Sequence, residues 1–503
     1  MKKIYILSIL LIFSLSSFGQ KAEDLLRYSQ QNYMSTARSA GMAGAFGALG
    51  GNFDALRINP AGLAVYRHSE ISFSSSYSNI FTDFKTNNLS GNNYNITNRT
   101  NEYMLGNFGI VYAIPNYSGD QVRVVLGFGY QTINNYNREY TGQVNKSANS
   151  LLDWSAFSSN GIAPDKLYQF SDKLFYDTRL MNMDPLHANE YGTVLNKDES
   201  VNQYQNIQES GYQGEYNFAV GVNIDQRWNL GLNISVNRID FQRRSVYNEQ
   251  TLADTKSNLD NYTYVEHLRQ KGYGINAKLG IIFKATQNLR LGASVQTGTK
   301  LDTDEEYYSS ATSNFKTNVD GKKSYTAKSP LNEYSYEINT PARYNLSAAY
   351  VFGQRAIIST DLELVDYGSG FFSIDENKDE YYTTNQEIKT FYNTTINWRI
   401  GSEIRINSML SARLGYAFKQ NPIDPDSDAI NSKNNTNLFS TGLGFRHQNF
   451  FFNFAYVHSY YNDNYTLYNF KNGIDDNATH ITSAMLKQKI KHNNFMFSVG
   501  FNF

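Results

Sequence analysis

Seven charged side chains in the last third of the chain have the types and spacing to do chemistry together: Arg343, Asp361, Glu363, Arg399, Glu403, Arg405 and Arg413. Lys278 precedes them. If Leu346 and Leu362 face an apolar phase, alternation along an extended chain turns Arg343, Asp361 and Glu363 the other way. The same parity carries Arg399, Glu403, Arg405, Arg413 and Lys278 inward. Those five cations against three carboxylates leave a net positive interior. Such a cross-strand ladder can stiffen the interior and hold whatever fills it. It can also offer one arginine to a ligand carboxylate.

Catalysis finds no comparable set. The seven histidines (His68, His187, His267, His447, His458, His480 and His492) are scattered. There is no His-Glu-x-x-His and no Gly-x-Ser-x-Gly, so no catalytic residue and no enzyme is expected. Asp424, Asp426 and Asp428 alternate, but Pro425 and the missing bidentate Glu break the EF-hand pattern, which leaves a solvated acidic loop. The chain has no Cys, which excludes disulfides, thiolate metal sites, Cys nucleophiles and a lipidated N-terminal Cys. No metal and no cofactor is implied. Net charge is -1, so no bulk field draws nucleic acid. The Gly-rich run from Gly41 to Gly51 lacks the Gly-Lys-Ser/Thr of a phosphate loop.

The elements that must position these side chains are strands. The chain ends on Phe495, Phe497, Val499, Phe501 and Phe503 alternating with Met496, Ser498, Gly500 and Asn502. Tyr216 to Ile224 and Leu230 to Val236 repeat the pattern, with Asn, Gly and Ser on the second face. Long segments, apolar on one face and small and polar on the other, are the signature of a transmembrane β-barrel. A secreted soluble all-β protein is the rival, but its strands are usually shorter. Mean hydropathy is -0.51, and a membrane protein that polar must be a barrel. The 39 Tyr and 32 Phe suit aromatic girdles at both interfaces.

Residues 1–19 read as a secretory signal peptide, from Lys2 and Lys3, an apolar stretch, and Ser17 and Gly19 before the cleavage point. Residues 20–68 are rich in Gly and Ala and form a candidate plug, or hatch. Residues 69–503 are expected to form a 14-stranded antiparallel transmembrane β-barrel. Its segments lie near 69–80, 104–115, 121–136, 213–224, 228–246, 262–285, 289–300, 339–352, 356–372, 389–407, 410–420, 436–447, 450–462 and 484–503. Connections alternate short and long, and an even count puts both termini on the periplasmic side of an outer membrane. The long connection 137–212 carries Leu151, Leu152, Trp154 and Phe157, then Leu167, Phe170, Leu174 and Phe175, at helical spacing. Two short helices over the mouth are expected. They either pack on each other or present an apolar capture surface.

The segment Ser39-Ala-Gly-Met-Ala-Gly-Ala-Phe46, followed by Asp54-Ala-Leu-Arg-Ile-Asn-Pro-Ala-Gly-Leu63, resembles the hatch of the FadL-type outer-membrane transporters of long-chain fatty acids and other hydrophobic compounds. The family's Asn-Pro-Ala element matches Asn59, Pro60 and Ala61. Further resemblances lie at Ala285–Ser294, at Thr340–Arg343, at Asp361 and Asp366-Tyr367, and from Arg413 to Pro422. The resemblance implies passive uptake of a hydrophobic small molecule: capture outside, a lumenal pocket, and sideways exit through the wall near the third strand. Gly127 and Gly129, on the inward face there, permit a notch or bend. Alternatively they admit close packing of the hatch. The expected partners are the ligand, outer-membrane lipid and, through the aromatic end at Phe503, the barrel-assembly machinery, with the protein a monomer. A surface receptor or structural barrel without transport is the alternative, favoured if charge and hatch alone fill the lumen.

Overall fold

Along the strand Trp228–Thr251, Leu230, Leu232, Ile234 and Val236 are exposed while Asn229, Asn233, Ser235 and Asn237 between them are buried. Alternation of this kind puts the apolar face outside and the polar face inside. A sheet with an apolar outer face in lipid has no water to satisfy a free edge, so it must close. It does: Glu70–Thr86 pairs with Leu486–Asn502, from Glu70↔Asn502 to Thr86↔Leu486.

The computed structural model describes residues 22–86, 95–115, 122–196, 198–424, 434–472 and 479–503. Residues 1–19, Asp426 and Asp428 lie outside them. The wall has fourteen antiparallel strands. They are Glu70–Thr86, Asn95–Ala113, Val122–Asn135 continued by Arg138–Ser147, Val201–Ile224, Trp228–Thr251, Leu259–Lys284, and Leu289–Gln296 continued by Lys300–Val319. Then come Asn332–Asn339 continued by Arg343–Phe352, Ala356–Asp366, Thr394–Arg405, Leu410–Lys419, Thr436–His447, Phe450–Tyr465 and Leu486–Asn502.

Several strands run on past the apolar outer band. Residues 301–338, expected as a connection, are largely strand: in Lys300–Val319, Leu301, Thr303, Glu305 and Tyr307 stay buried while Asp302, Asp304 and Glu306 face out. Beyond lipid the outer face turns charged, and the apolar-polar alternation fades although the ladder continues. Residues 201–212 are strand for the same reason. Conversely, the tenth strand starts at Thr394 rather than near 389, because Tyr382–Phe391 is a helix.

The lumen is filled from the short-turn end upward. The N-terminal segment runs through the helices Ala22–Ser29, Ala37–Ala40 and Ala55–Ile58 and the 3-10 turn Pro60–Val65. Ala37, Ala40 and Ala43 pack on Ala417, Leu438, Ala455 and Met496, where small side chains let the backbone approach the wall. Phe53, Leu56 and Leu63 pack on Val111, Val125 and Ala219. Both ends of the barrel meet at the short-turn end, where Ser69 and Phe503 exchange backbone hydrogen bonds of 3.1 and 2.9 Å. The first described residues are not there. Helix Ala22–Ser29 packs among Tyr381, Ile388 and Tyr392 of the long connection 367–393, inside the barrel toward its long-loop end.

Candidate functional site

Inward parity brings the charged ladder together as paired ions. Arg343 Nη1 lies 3.0 Å from Glu363, and its Nη2 donates to the hatch carbonyl of Ser29. Arg399 lies 3.6 Å from Glu363 and 3.9 Å from Asp361. Asp361 accepts the backbone N–H groups of Phe46 and Gly47, each at 3.0 Å. Glu403 takes Arg413 at 2.6 Å and the hatch residue Arg38 at 2.9 Å. Lys278 reaches Glu215 at 3.0 Å, and so does Arg57 of the hatch. Arg405 is the exception. It has the inward parity but sits exposed at the short-turn end, where the strand finishes. Glu215, absent from the sequence reading, pairs with Lys278, and each buried cation of the ladder has a carboxylate beside it. Four wall side chains, Arg343, Asp361, Glu403 and Glu215, tie wall to hatch, which is what a holding network requires.

The Asn59-Pro60-Ala61 corner locks on its own side chain. Asn59 is extended, and its Oδ1 accepts the Ala61 N–H at 3.1 Å, which caps the turn that Pro60 begins. Its Nδ2 donates to Gly47 O at 2.7 Å and to the wall carbonyl of Ile281 at 3.1 Å. The wall concedes space here. A Cβ at Gly231 would lie 2.1 Å from the Pro60 carbonyl carbon, and one at Gly280 would meet the Asn59 oxygen at 1.9 Å.

The second and third strands share a short ladder, Asn107–Ala113 with Val125–Gln131. Gly127 and Gly129 lie inside it, regularly paired to both neighbours, at Val111 and Ala219 and at Gly109 and Asn217. The notch expected there is absent. These glycines instead admit the hatch: a Cβ at Gly127 would be 3.1 Å from Leu63, and one at Gly129 would be 2.6 Å from the Phe53 ring. The break comes just above. Register shifts occur between Ser74 and Ser75 and between Thr132 and Asn134. Beyond them Asn95–Leu105 keeps its ladder to the first strand, with none to the third among the described residues. Side chains bridge instead. Thr132 Oγ1 donates to Leu105 O at 2.5 Å, and Asn137 donates to Glu102 at 2.9 Å. Thr100 Oγ1 accepts Glu139 N–H at 3.0 Å, and Asn98 Oδ1 accepts Thr141 N–H at 3.1 Å. The result is a seam one side chain wide, beside the exposed Tyr103.

Over the other mouth lie the helices Leu151–Ser159 and Asp172–Asp177. Leu151, Leu152, Leu167, Leu174 and Phe175 are buried with Tyr247, Tyr262 and Tyr264 of the wall, so they anchor the lid rather than face a ligand. Trp154 and Phe157 remain at the surface, and Trp154 stacks on Phe470 at 5.0 Å. Phe170, half-buried, packs separately on Tyr307 at 5.4 Å. Glu249 accepts Ser150 Oγ at 2.6 Å and Leu151 N–H at 2.9 Å, fastening the first lid helix to the wall. Burial pushes the carboxyls of Asp153 and Asp172 up, against hydrogen bonds from Ser150 and from Ser155 and Ser171 respectively. In Glu199 burial is outweighed by bonds from Asn196 and Ser257, which hold it down at about 2. Above the rest of the hatch, helix Ala22–Ser29 packs Leu25 and Tyr28 against Ile239, Phe241, Leu301, Ile338, Val365 and Phe372.

Residues 197–503 match the family described as outer membrane protein transport protein (OMPP1/FadL/TodX). The chain belongs to that family. No curated protein sequence matches it. Among solved structures, a Pseudomonas aeruginosa FadL homologue superposes with a TM-score of 0.55 at 12% identity, covering 94% of this chain and 99% of that one. A monoaromatic hydrocarbon channel, CymD, gives 0.50 at 11%, covering 93% and 97%. At such identities the likeness is one of fold. Membership makes this FadL-family barrel an outer-membrane transport protein rather than an enzyme.

In this FadL-family chain Gly47 joins the hatch corner to the inward ladder, accepting from Asn59 and donating to Asp361. The seam and the Glu215 contact are not in the sequence reading. Glu215 was within reach of it: Tyr216 faces out, so its neighbour must face in.

Proposed function

We propose that this chain takes up hydrophobic small molecules passively, a long-chain fatty acid or an aromatic hydrocarbon. Ligand lands near Trp154 and Phe157, passes into the space now held by helix Ala22–Ser29, and leaves sideways through the seam between the second and third strands. The hatch blocks the straight route to the short-turn mouth, which faces the periplasm. The barrel works as a monomer, in contact with outer-membrane lipid, after insertion by the assembly machinery.

The seam is the observation that carries this reading. The ladder between the second and third strands stops at Asn107, and above it the wall is held by side-chain bonds, which are easier to replace than a backbone ladder. The apolar lining now covered by Ala22, Leu25 and Tyr28 would accept a hydrophobic cargo once that helix moves aside. The fold relative CymD is a hydrocarbon channel. Cells that lack their own uptake route and carry this chain should accumulate labelled oleate or toluene faster than empty controls. Equal accumulation at normal surface levels would reject transport.

A further inference from the structure

We propose that the short-turn mouth, beneath the hatch, docks an acidic peptide segment of a second protein. Arg123, Lys284, Arg290 and Arg446 all have inward parity at the ends of their strands, since Val122, Phe283, Leu291 and Phe445 beside them face out. Arg67 joins them from the segment between hatch and barrel. The charged neighbours of Lys284 are Arg290, Arg67 and Arg123, and those of Arg290 are Arg38 and Arg67. Arg123 has Arg67 beside it. Among the described residues none of these three cations lies within ion-pair distance of a carboxylate, unlike the paired ladder higher in the lumen. Only at Arg446 do carboxylates, Glu70 and Glu403, come near.

The geometry selects the partner. Side chains that face the barrel axis are out of reach of lipid headgroups around the wall, so the counter-charge must arrive from the aqueous mouth. Cations spread around a ring call for a multivalent anion on one chain, and complementary potential both steers and orients such a segment. Two of the cations already spend donors on hatch carbonyls: Arg123 on Ala64 O at 2.9 Å and Arg290 on Leu49 O at 3.0 Å. A carboxylate is a stronger acceptor than a neutral carbonyl. An acidic segment that captures these guanidinium groups therefore loosens the hatch floor at residues 49–51 and 62–64. Docking and hatch release are coupled through the same donors.

The test uses the full chain in detergent or nanodiscs and a labelled oligo-glutamate peptide. The peptide should bind at low salt and lose affinity as salt rises, and an oligo-glutamine of equal length should not bind. Arg67→Gln with Lys284→Gln, neither of which bonds to the hatch through its side chain, should weaken binding roughly tenfold with hatch amide protection unchanged. Bound peptide should speed hydrogen exchange at residues 49–51 and 62–64 of the parent protein. No binding at low salt, equal binding by the double variant, or full competition by citrate at the peptide's own concentration would overturn the proposal. Hydrophobic uptake is measured separately, so failure here leaves the transport reading standing or falling on its own test.

Discussion

Glu215 is the most exacting place to test how the hatch is held. It is almost fully buried and faces two cations, Arg57 of the hatch and Lys278 of the wall, each at 3.0 Å. Glu215→Gln keeps the shape and some hydrogen bonding but removes the only charge shown between them. Removing one partner of a buried ion pair costs about 3–5 kcal/mol. Because glutamine still accepts a hydrogen bond, the lower end applies, and 3 kcal/mol is roughly a hundredfold in an opening equilibrium. The cost falls on docking of the hatch, since Glu215 itself is paired to both neighbouring strands, at Gln131 and Asn237. Hydrogen exchange at Arg57 and Ile58, whose amides bond to Asp54 O at 3.1 and 3.0 Å, reports it. Exchange there should accelerate roughly a hundredfold in Glu215→Gln, while Lys278→Met, which leaves Glu215 paired with Arg57, should change it less than about tenfold. Unchanged exchange in Glu215→Gln would mean that packing of Phe53, Leu56 and Leu63 holds the hatch without the ion.

Gly231→Ala places a methyl against the Pro60 carbonyl, so the barrel should still assemble and migrate normally while the Asn59 corner loses its protection; a protected corner would show that the wall yields instead. The lid should tighten in acid. Asp153 and Asp172 have folded values raised above their unfolded ones, so their ionised forms weaken the lid at neutral pH and stability is regained as pH falls through those values; Glu199, held at about 2, works the other way below the ordinary carboxylate range, but it fastens Asn196 and Ser257 rather than the lid helices. Protease resistance of residues 148–180, measured across mildly acidic pH, should rise, and a fall would contradict the assignment.

What the sequence made legible follows lipid contact. Inside the bilayer each strand alternates apolar with small polar residues, so strand number, order and facing were readable from Leu230 to Val236 or from Phe495 to Phe503. The hatch corner was readable because Asn59, Pro60 and Ala61 act locally, through a side chain that caps its own turn. Lys300–Val319 was not, because Asp302, Asp304 and Glu306 meet water where Leu or Val would meet lipid. The seam was hidden for a different reason. It arises from the register between two strands, through shifts at Ser74/Ser75 and Thr132/Asn134, and no single residue type marks such a shift. Gly127 and Gly129 drew attention as gaps, but a glycine in a strand equally marks close approach, and Phe53 and Leu63 are what approach them.

The lateral route is the central claim, and closing the seam reversibly tests it most directly. The chain has no cysteine of its own. Thr100→Cys with Glu139→Cys places two thiols across the seam, where Glu139 N–H now bonds to Thr100 Oγ1. A short thiol-reactive linker that reductant cleaves should reduce uptake of labelled oleate to the level of empty cells, and reductant should restore it. Full uptake with the linker quantitatively in place would contradict a sideways exit between the second and third strands.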